Sequence, residues 1–113
     1  MIGQRDLLLV PFPFSDQSGK KVRPVIVLSN DKFNEFSEDL LVIGVTSNIH
    51  KDIYSLSLDE KDLEEGKLYS KCSIKIENLL RLEKSLIIKK IGKIKKGKML
   101  KIVEIINEII KID

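Results

Sequence analysis

GQRDLLLVPFPFSDQSGKKVRPVIVLSN, residues 3–30, is the stretch that decides the fold. Its apolar run at residues 6–13 predicts a β-strand, whose two prolines interrupt regular pairing because proline has no amide hydrogen to donate. The polar run SDQSGKK, residues 15–21, predicts a loop. Residues 22–28 are rich in β-branched side chains and predict a second strand. The chain therefore begins with two β-strands joined by a short loop.

The middle of the chain has the patterns of a short helix and of further short strands. Residues 29–36 predict a helical turn, capped by Ser29 or Asn30, with Phe33 and Phe36 spaced to face inward. The other predicted elements are strands at residues 39–47, 53–58, 68–76 and 86–91, and an acidic turn or short helix at residues 59–65; Gly66 ends that turn and Gly92 ends the last strand.

The end of the chain predicts an amphipathic helix that packs on a sheet. Apolar residues recur there at helical spacing, with charged and polar residues between them. The apolar positions are Met99, Ile102, Val103, Ile106, Ile109 and Ile110. Short strands followed by one helix predict a mainly β fold, a small antiparallel barrel with a C-terminal helix. With no repeat and no linker, we expect a single domain over residues 1–113.

Charge is unevenly distributed along the chain. The net charge of +3, from 20 Lys+Arg against 17 Asp+Glu, is too small to indicate nucleic-acid binding by itself. An acidic cluster occupies residues 59–65. A basic run precedes and enters the last helix, and it comprises Lys89, Lys90, Lys93, Lys95, Lys96, Lys98 and Lys101. This run is either a solvated face or a track for RNA, and the sequence leaves both open.

Cysteine and histidine are scarce, which excludes several kinds of site. Cys72 is the one cysteine, so the chain has no intramolecular disulfide and no multi-cysteine zinc site. His50 is the one histidine, which excludes catalysis by a histidine pair. No signal peptide opens the chain, and no apolar stretch is long enough to span a bilayer. We expect a cytoplasmic protein without a metal or other cofactor.

Polar residues at two strand ends form the candidate site. Arg23 opens the second strand, and Thr46, Ser47 and Asn48 close the third. In an antiparallel pair the start of one strand lies beside the end of its neighbour. If these two strands pair, Arg23 and Thr46 approach each other. The plainer interpretation, which composition and spacing favour, is an exposed arginine at a strand edge and an ordinary turn threonine.

The chain resembles the MazF/PemK family of toxins in four blocks, in the family's order. Residues 3–30 resemble its opening pattern, in which a Gly-acidic strand is followed by a PFPF-like stop, Asp-x-Ser-Gly and Arg-Pro. VIGVTSN at 42–48 resembles its strand ending in Thr-Ser. GKLYSKCSIKI at 66–76 and LIIKKIGKI at 86–94 resemble two later segments. The third block departs from the family, which often has Pro-Ser where this chain has Cys72 and Ser73.

This resemblance implies an SH3-like barrel that forms a homodimer. It further implies a type II toxin that cuts single-stranded RNA, often messenger RNA, at short sequences and is blocked by an antitoxin protein. The family's catalytic arginine and threonine fall on Arg23 and Thr46. The residues expected to contact RNA are Asp16, Ser18, Gly19, Lys20, Ser47 and Asn48.

RNA chemistry allows such a small site to suffice. The 2′-OH can attack the adjacent phosphate, giving a 2′,3′-cyclic phosphate and a 5′-OH end without a metal ion. The enzyme must align that attack and stabilise the added charge. Arg23 suits charge stabilisation because its planar fork binds two phosphate oxygens, whereas a guanidinium is a poor general base. Thr46 is expected to hydrogen-bond the phosphate or orient the 2′-OH, with Ser47 as a helper; the group that removes the 2′ proton is not evident.

Two other functions fit the same fold. The barrel could bind a protein target without catalysis, as CcdB-like gyrase poisons do. It could also bind RNA without cleaving it. The presence of both Arg23 and Thr46 favours catalysis, because a pure binder does not need the pair.

Overall fold

Seven strands and two α-helices form within residues 1–11, 21–49 and 51–113, the part of the chain that this computed structural model describes. The strands are β1 (Asp6–Pro11), β2 (Val22–Val27), β3 (Asp39–Thr46), β4 (Ser55–Leu58), β5 (Leu63–Gly66), β6 (Cys72–Glu83) and β7 (Lys89–Ile94). The helices are α1 (Asp31–Phe36) and α2 (Lys96–Ile109), and single 3₁₀ turns lie at Glu60–Asp62 and Lys84–Leu86.

The strands form one curled antiparallel sheet in the order β4-β6-β3-β2-β1-β7-β5. The centre of the sheet consists of β1, β2 and β3, with β2 paired between the other two. β1 and β2 are the two strands predicted from residues 3–30. The sheet's two edges are β4 and β5. A mainly β, barrel-like architecture with a C-terminal helix is therefore confirmed.

Hydrophobic side chains pack on both faces of the central strands, as strand alternation requires. Leu7, Ile26 and Ile43 lie side by side across β1, β2 and β3 and belong to one core cluster, which also includes Met99 and Ile102 of α2. The neighbouring position along each strand faces the other way. A second cluster forms there, and it contains Leu8, Val10, Val25, Val27, Leu40, Val42 and Leu82.

A bulge in β6 is the main irregularity of the sheet. Ile43 pairs with Leu79, whereas the next residue of β3, Gly44, pairs with Lys75. Residues 76–78 of β6 are thus inserted between two adjacent pairs with β3. The predicted strand at 68–76 was wrong at both ends, because β6 begins at Cys72 and continues past the bulge to Glu83.

The short helix α1 forms where predicted, but with the opposite face buried. Asn30 caps it, since its side chain accepts a hydrogen bond from the amide of Phe33. Phe33 is 42% exposed and Phe36 is 80% exposed, so the inward orientation predicted for them was wrong. Asn34 is the buried residue, and its side chain exchanges hydrogen bonds with Ser29 at 2.5 and 2.9 Å.

Two glycines pair where β5 meets β7: Gly66 is the last residue of β5 and so ends the acidic segment as predicted, and Gly92 lies opposite it. The acidic segment holds both a 3₁₀ turn and β5, which the sequence did not predict as a strand. Gly92 lies inside β7, where a Cβ would come within 2.7 Å of the Glu65 carbonyl oxygen. The predicted end of the last strand at Gly92 was therefore wrong, and β7 runs to Ile94.

The C-terminal helix forms as predicted, although only part of its apolar stripe is covered. Met99 and Ile102 are buried, whereas Val103, Ile109 and Ile110 are between 39% and 68% exposed. Within the described residues, no helix combines the length and apolar content needed to cross a membrane.

The basic run and the acidic cluster meet in space. Lys98 lies 3.4 Å from Asp62, and Lys90 lies 3.1 Å from Glu65. Lys90 also lies 3.3 Å from the buried carboxylate of Asp6. Lys90 and Lys98 therefore bind acidic partners within the fold. These ion pairs argue against a continuous RNA track along the whole basic run.

Candidate functional site

The pairing of β2 with β3 brings the two predicted catalytic residues together. Val25 pairs with Gly44 in an antiparallel register. The same register continued by two residues places Arg23 opposite Thr46. Both side chains line one surface pocket of about 220 Å³. The predicted approach of these strand ends is thus what the structure shows.

Polar groups from three strands and one turn converge on this pocket. Arg23 comes from β2, Thr46 from β3, Asn48 from the following turn, and Lys75 and Asn78 from β6. The apolar part of the lining includes Val25 and Leu80, which border the second core cluster. The pocket is therefore built on rigid sheet positions, a geometry that holds polar groups in fixed relative positions.

Gly44 keeps the middle of the pocket open. It lies between Val25 on one side and Lys75 on the other, so any side chain there would project among the polar groups. A Cβ built on Gly44 would meet Asn78 at 3.6 Å, which is ordinary van der Waals contact. The backbone would therefore tolerate a larger residue. The effect of glycine at this position is to leave the pocket free of a side chain.

A local turn orients the Thr46 hydroxyl. The backbone amide of Asn48 donates a hydrogen bond to the Thr46 side-chain oxygen at 3.2 Å. Because that oxygen accepts one bond within the turn, its own hydrogen is available to donate in another direction. Because Thr46 lines the pocket, this hydroxyl can donate a hydrogen bond to a ligand there.

The electrostatic character of the pocket suits an anion. Arg23 and Lys75 supply two positive charges, and none of its lining residues within the described part of the chain is a carboxylate. The neutral polar groups, Thr46, Asn48 and Asn78, can all donate hydrogen bonds. This arrangement can bind a phosphodiester and stabilise additional negative charge on it.

The predicted site residues have three different outcomes. Arg23, Thr46 and Asn48 line the pocket together. Ser47 is exposed beside Thr46 and is not part of the lining. The remaining predicted positions, Asp16, Ser18, Gly19 and Lys20, lie outside the described residues.

Sequence reasoning missed Lys75, Asn78 and Gly44. A signal for Lys75 was present, because it interrupts the apolar pattern between Ile74 and Ile76 and must face away from both. Nothing in the local sequence signals Asn78, since the bulge that brings it beside Gly44 depends on pairing with β3.

The other candidate groups have structural roles. Cys72 is 7% exposed, and burial raises the pKa of its thiol, as for a packing residue. Among residues 1–11, 21–49 and 51–113, no three His, Cys, Asp or Glu side chains are grouped to hold a metal ion.

Comparison with known proteins identifies relatives of the whole chain. The profile of a family described as PemK-like, MazF-like toxin of type II toxin-antitoxin system matches residues 3–110. Among proteins with curated descriptions, none matches this sequence.

Solved structures share the fold at low identity. An endoribonuclease in complex with its cognate antitoxin, from a mycobacterial species, aligns with a TM-score of 0.80 at 12% identity, over 100% of this chain and 98% of its own. Toxin MazF-mt6 of Mycobacterium tuberculosis aligns with a TM-score of 0.77 at 15% identity, over 96% and 99%. A MazE-MazF structure from Deinococcus radiodurans aligns with a TM-score of 0.80 at 15% identity, over 99% of this chain and 98% of its own. These alignments confirm the predicted fold.

Proposed function

Because the chain belongs to the PemK-like, MazF-like toxin family of type II toxin-antitoxin systems, we propose that it is an endoribonuclease that cleaves single-stranded RNA in the Arg23–Thr46 pocket. One observation carries the proposal: Arg23 and Thr46 line a pocket with a second cation, Lys75, and no carboxylate among its described lining. Such a pocket is complementary to a phosphodiester whose negative charge increases during reaction.

The proposed reaction uses the nucleophile that RNA itself carries. The 2′-oxygen forms a bond to phosphorus while the bond from phosphorus to the 5′-oxygen breaks. The 2′-OH loses a proton, and the leaving oxygen gains one. The products are a 2′,3′-cyclic phosphate and a 5′-OH end. No water has to be activated for this step, so we propose that it proceeds without a metal ion.

Arg23 is proposed to stabilise the charge that develops on the phosphate. Its guanidinium offers several donors in a fixed plane, which matches two phosphate oxygens. Val25 and Leu80 make one wall of the pocket apolar. Electrostatic interactions are stronger beside apolar groups than in open water, which favours a strong contribution from this residue.

Thr46 is proposed to donate its hydroxyl hydrogen to the phosphate or to orient the 2′-OH. The amide of Asn48, at 3.2 Å from the Thr46 oxygen, supports this direction of donation. Asn48 then contacts RNA from the same turn, and Ser47 is proposed to help from the exposed edge. The family resemblance supports further RNA contacts from Asp16, Ser18, Gly19 and Lys20.

The substrate is proposed to be unpaired RNA, and specifically messenger RNA in the cytoplasm. In-line attack by the 2′-OH is disfavoured in a regular duplex, and DNA has no 2′-OH. The bases of a single strand are also free to be read by hydrogen bonds and stacking. We therefore expect cleavage at short sequences in single-stranded regions.

The test is cleavage of a long RNA by the purified protein, mapped by primer extension, with and without EDTA. We expect cleavage that persists in EDTA. Arg23→Ala should lower the single-turnover rate on the order of 10²- to 10³-fold, as for removal of one preorganised donor. The matched control is Arg81→Ala, because Arg81 is exposed, pairs with Asp39 and does not line the pocket.

The same assay tests Thr46. Thr46→Val removes the hydroxyl at almost constant shape and should lower the rate strongly, whereas Thr46→Ser should restore much of it. Ser57→Ala is the control, because Ser57 is an exposed hydroxyl residue on β4 outside the pocket. Cleavage that stops in EDTA would contradict the metal-free reaction. Intact RNA that binds tightly would favour the non-cleaving RNA-binding alternative, and a failure to bind RNA would favour a CcdB-like protein binder.

An antitoxin and a second copy of the chain are the proposed protein partners. The mycobacterial endoribonuclease and MazF of D. radiodurans were both solved with an antitoxin, which supports the first. The exposed apolar residues of α2 and α1, such as Ile109 and Phe36, support protein contacts more generally. Light scattering should report a dimer, and the product of the adjacent reading frame should bind and inhibit the toxin.

A further inference from the structure

Lys75 has the position of a ligand-binding residue rather than of a structural one. It lies on β6 between Gly44 of β3 and Ser55 of β4, and its side chain is only partly exposed. Within residues 1–11, 21–49 and 51–113 it forms no ion pair, whereas Lys90 and Lys98 pair with carboxylates nearby in the fold. Among the described residues Lys75 therefore has no counter-charge, and partial burial of a cation costs stability. An anionic ligand in the pocket would compensate that cost.

Sheet geometry separates Lys75 from Arg23. The two residues lie on strands separated by β3 and differ by two positions along the strand direction. With strands about 5 Å apart and about 3.3 Å per residue, their Cα atoms lie roughly 12 Å apart. Both side chains are long and enter the same pocket from different sides. The two cations therefore reach the pocket from different strands, so each can bind a different phosphate of one RNA strand.

The space between the two cations suits one nucleotide unit. Gly44 lies in the middle and leaves its face open. The pocket of about 220 Å³ is open to the surface and has room for a sugar or a base. Asn78 stands beside Gly44, with its amide nitrogen within 3.8 Å of the position of a Cβ there. An amide at this place can hydrogen-bond the nucleotide that lies over Gly44.

We propose that Lys75 binds the phosphate next to the scissile one, so that the nucleotide between the two phosphates is held over Gly44 while Arg23 stabilises the reacting phosphate. This inference rests on the proposed RNA cleavage and adds the subsite that positions the strand. Lys75 is thus a binding and positioning residue, and the chemistry itself depends on Arg23 and Thr46.

The experiment pairs protein variants with single neutral linkages in the RNA. Once a cleavage site is mapped, a short RNA containing it is made uncleavable by a 2′-deoxy sugar at the scissile position. Three further versions carry one neutral methylphosphonate, at the scissile linkage or at either neighbour. Binding constants are measured across a salt series for the wild type, Lys75→Met, Lys75→Arg and Lys101→Met. Lys101 is an exposed lysine of α2 outside the pocket and is the matched control.

We expect Lys75→Met to bind the unmodified RNA about tenfold more weakly. The slope of log K against log salt should become shallower by about 0.7, the value for one phosphate contact on a single strand. One neighbouring methylphosphonate should weaken the wild type by a similar factor and should not weaken Lys75→Met further. Lys75→Arg should restore binding. In cleavage assays Lys75→Met should raise KM much more than it lowers kcat.

Three results would overturn the subsite. The first is a Lys75→Met variant that binds RNA with the affinity and salt dependence of the wild type. The second is a loss of affinity in Lys75→Met that is non-additive only with the methylphosphonate at the scissile linkage. The third is an equal loss of affinity in Lys101→Met. Melting temperatures of all variants show whether weak binding reflects misfolding. If Lys75→Met misfolds, Lys75→Arg still tests the subsite, because it keeps the positive charge and should bind RNA. Failure here is distinct from failure of the proposed function: wild-type cleavage that depends on Arg23 but not on Lys75 removes only the subsite.

Discussion

Replacing Gly44 with alanine should make the protein more stable and a poorer nuclease. The new Cβ would meet Asn78 at 3.6 Å, and the Gly44 backbone is not in a conformation that requires glycine. Glycine inside a strand costs about 0.5–1 kcal/mol relative to alanine, because it loses more backbone freedom on folding. Gly44→Ala should therefore raise the free energy of unfolding by that amount and the melting temperature by about 4 °C.

The same methyl group would stand between Val25 and Lys75, where we place the substrate. A displacement of the bound strand by about 1 Å is enough to lower turnover on the order of 10²-fold when reacting groups must be aligned. We expect kcat/KM of RNA cleavage to fall between about 10- and 100-fold in Gly44→Ala. Gly44→Val should lower it further, because its branched side chain fills more of the pocket.

Urea unfolding and single-turnover cleavage of one fluorescent RNA measure the two effects on the same preparations. Gly97→Ala is the control, because a Cβ at Gly97 of α2 meets nothing within 4 Å and lies outside the pocket. It should also be stabilised, with cleavage unchanged. If Gly44→Ala is stabilised and still cleaves RNA like the wild type, Gly44 does not serve to keep the pocket open for substrate. Loss of stability in Gly44→Ala would refute the claim that the backbone tolerates a side chain there.

Three further changes test the fold. Gly66→Ala should cost about 3 kcal/mol in urea unfolding, because Gly66 has φ of 91° and a Cβ there would lie 2.2 Å from the carbonyl oxygen of Ile91. Asn34→Ala should cost about 2 kcal/mol, because the buried Ser29 hydroxyl loses its acceptor and the Ser29 carbonyl loses the donor that the Asn34 side chain provides. Glu35→Ala, at an exposed neighbour, should change stability little. The pKa of Lys90 is raised above its usual 10.5, chiefly by its hydrogen bond with Glu65. Its contribution to stability is therefore complete below pH 10.5 and lost as the pH rises further, and the alkaline loss of stability should be shallower in Lys90→Met; an unchanged alkaline profile would contradict this coupling.

The sequence was sufficient where local pattern and neighbour pairing agree. The apolar, β-branched run after Arg23 and the run before Thr46 each specify a strand, and consecutive strands tend to be neighbours. Antiparallel pairing then forces the two polar ends together. The proximity of Arg23 and Thr46 could therefore be predicted from the sequence pattern. Their catalytic roles are implied only by the family resemblance and remain predictions for the variants above.

The sequence was insufficient where a contact between distant segments decides the structure. The strand β6 was predicted to stop near Ile76, because Glu77 and Asn78 interrupt the alternation of apolar residues. The bulge absorbs that interruption, and it exists only through pairing with β3. In the same way the spacing of Phe33 and Phe36 indicates one helix face, but not that Asn34 binds Ser29 and takes the buried side.

The bulge of β6 also gives the protein a place where the site can change while the fold is kept. β6 pairs with β3 on both sides of the bulge, Gly44 with Lys75 and Ile43 with Leu79. Within the bulge, Ile76 is buried in the core, whereas Glu77 and Asn78 are exposed and can be replaced without disturbing core packing. Asn78 stands at the pocket, so such variation would alter which RNA sequence is accepted. Relatives that differ at these two positions should differ in cleavage sequence while sharing one barrel, which makes the bulge the first segment to redesign for a new target.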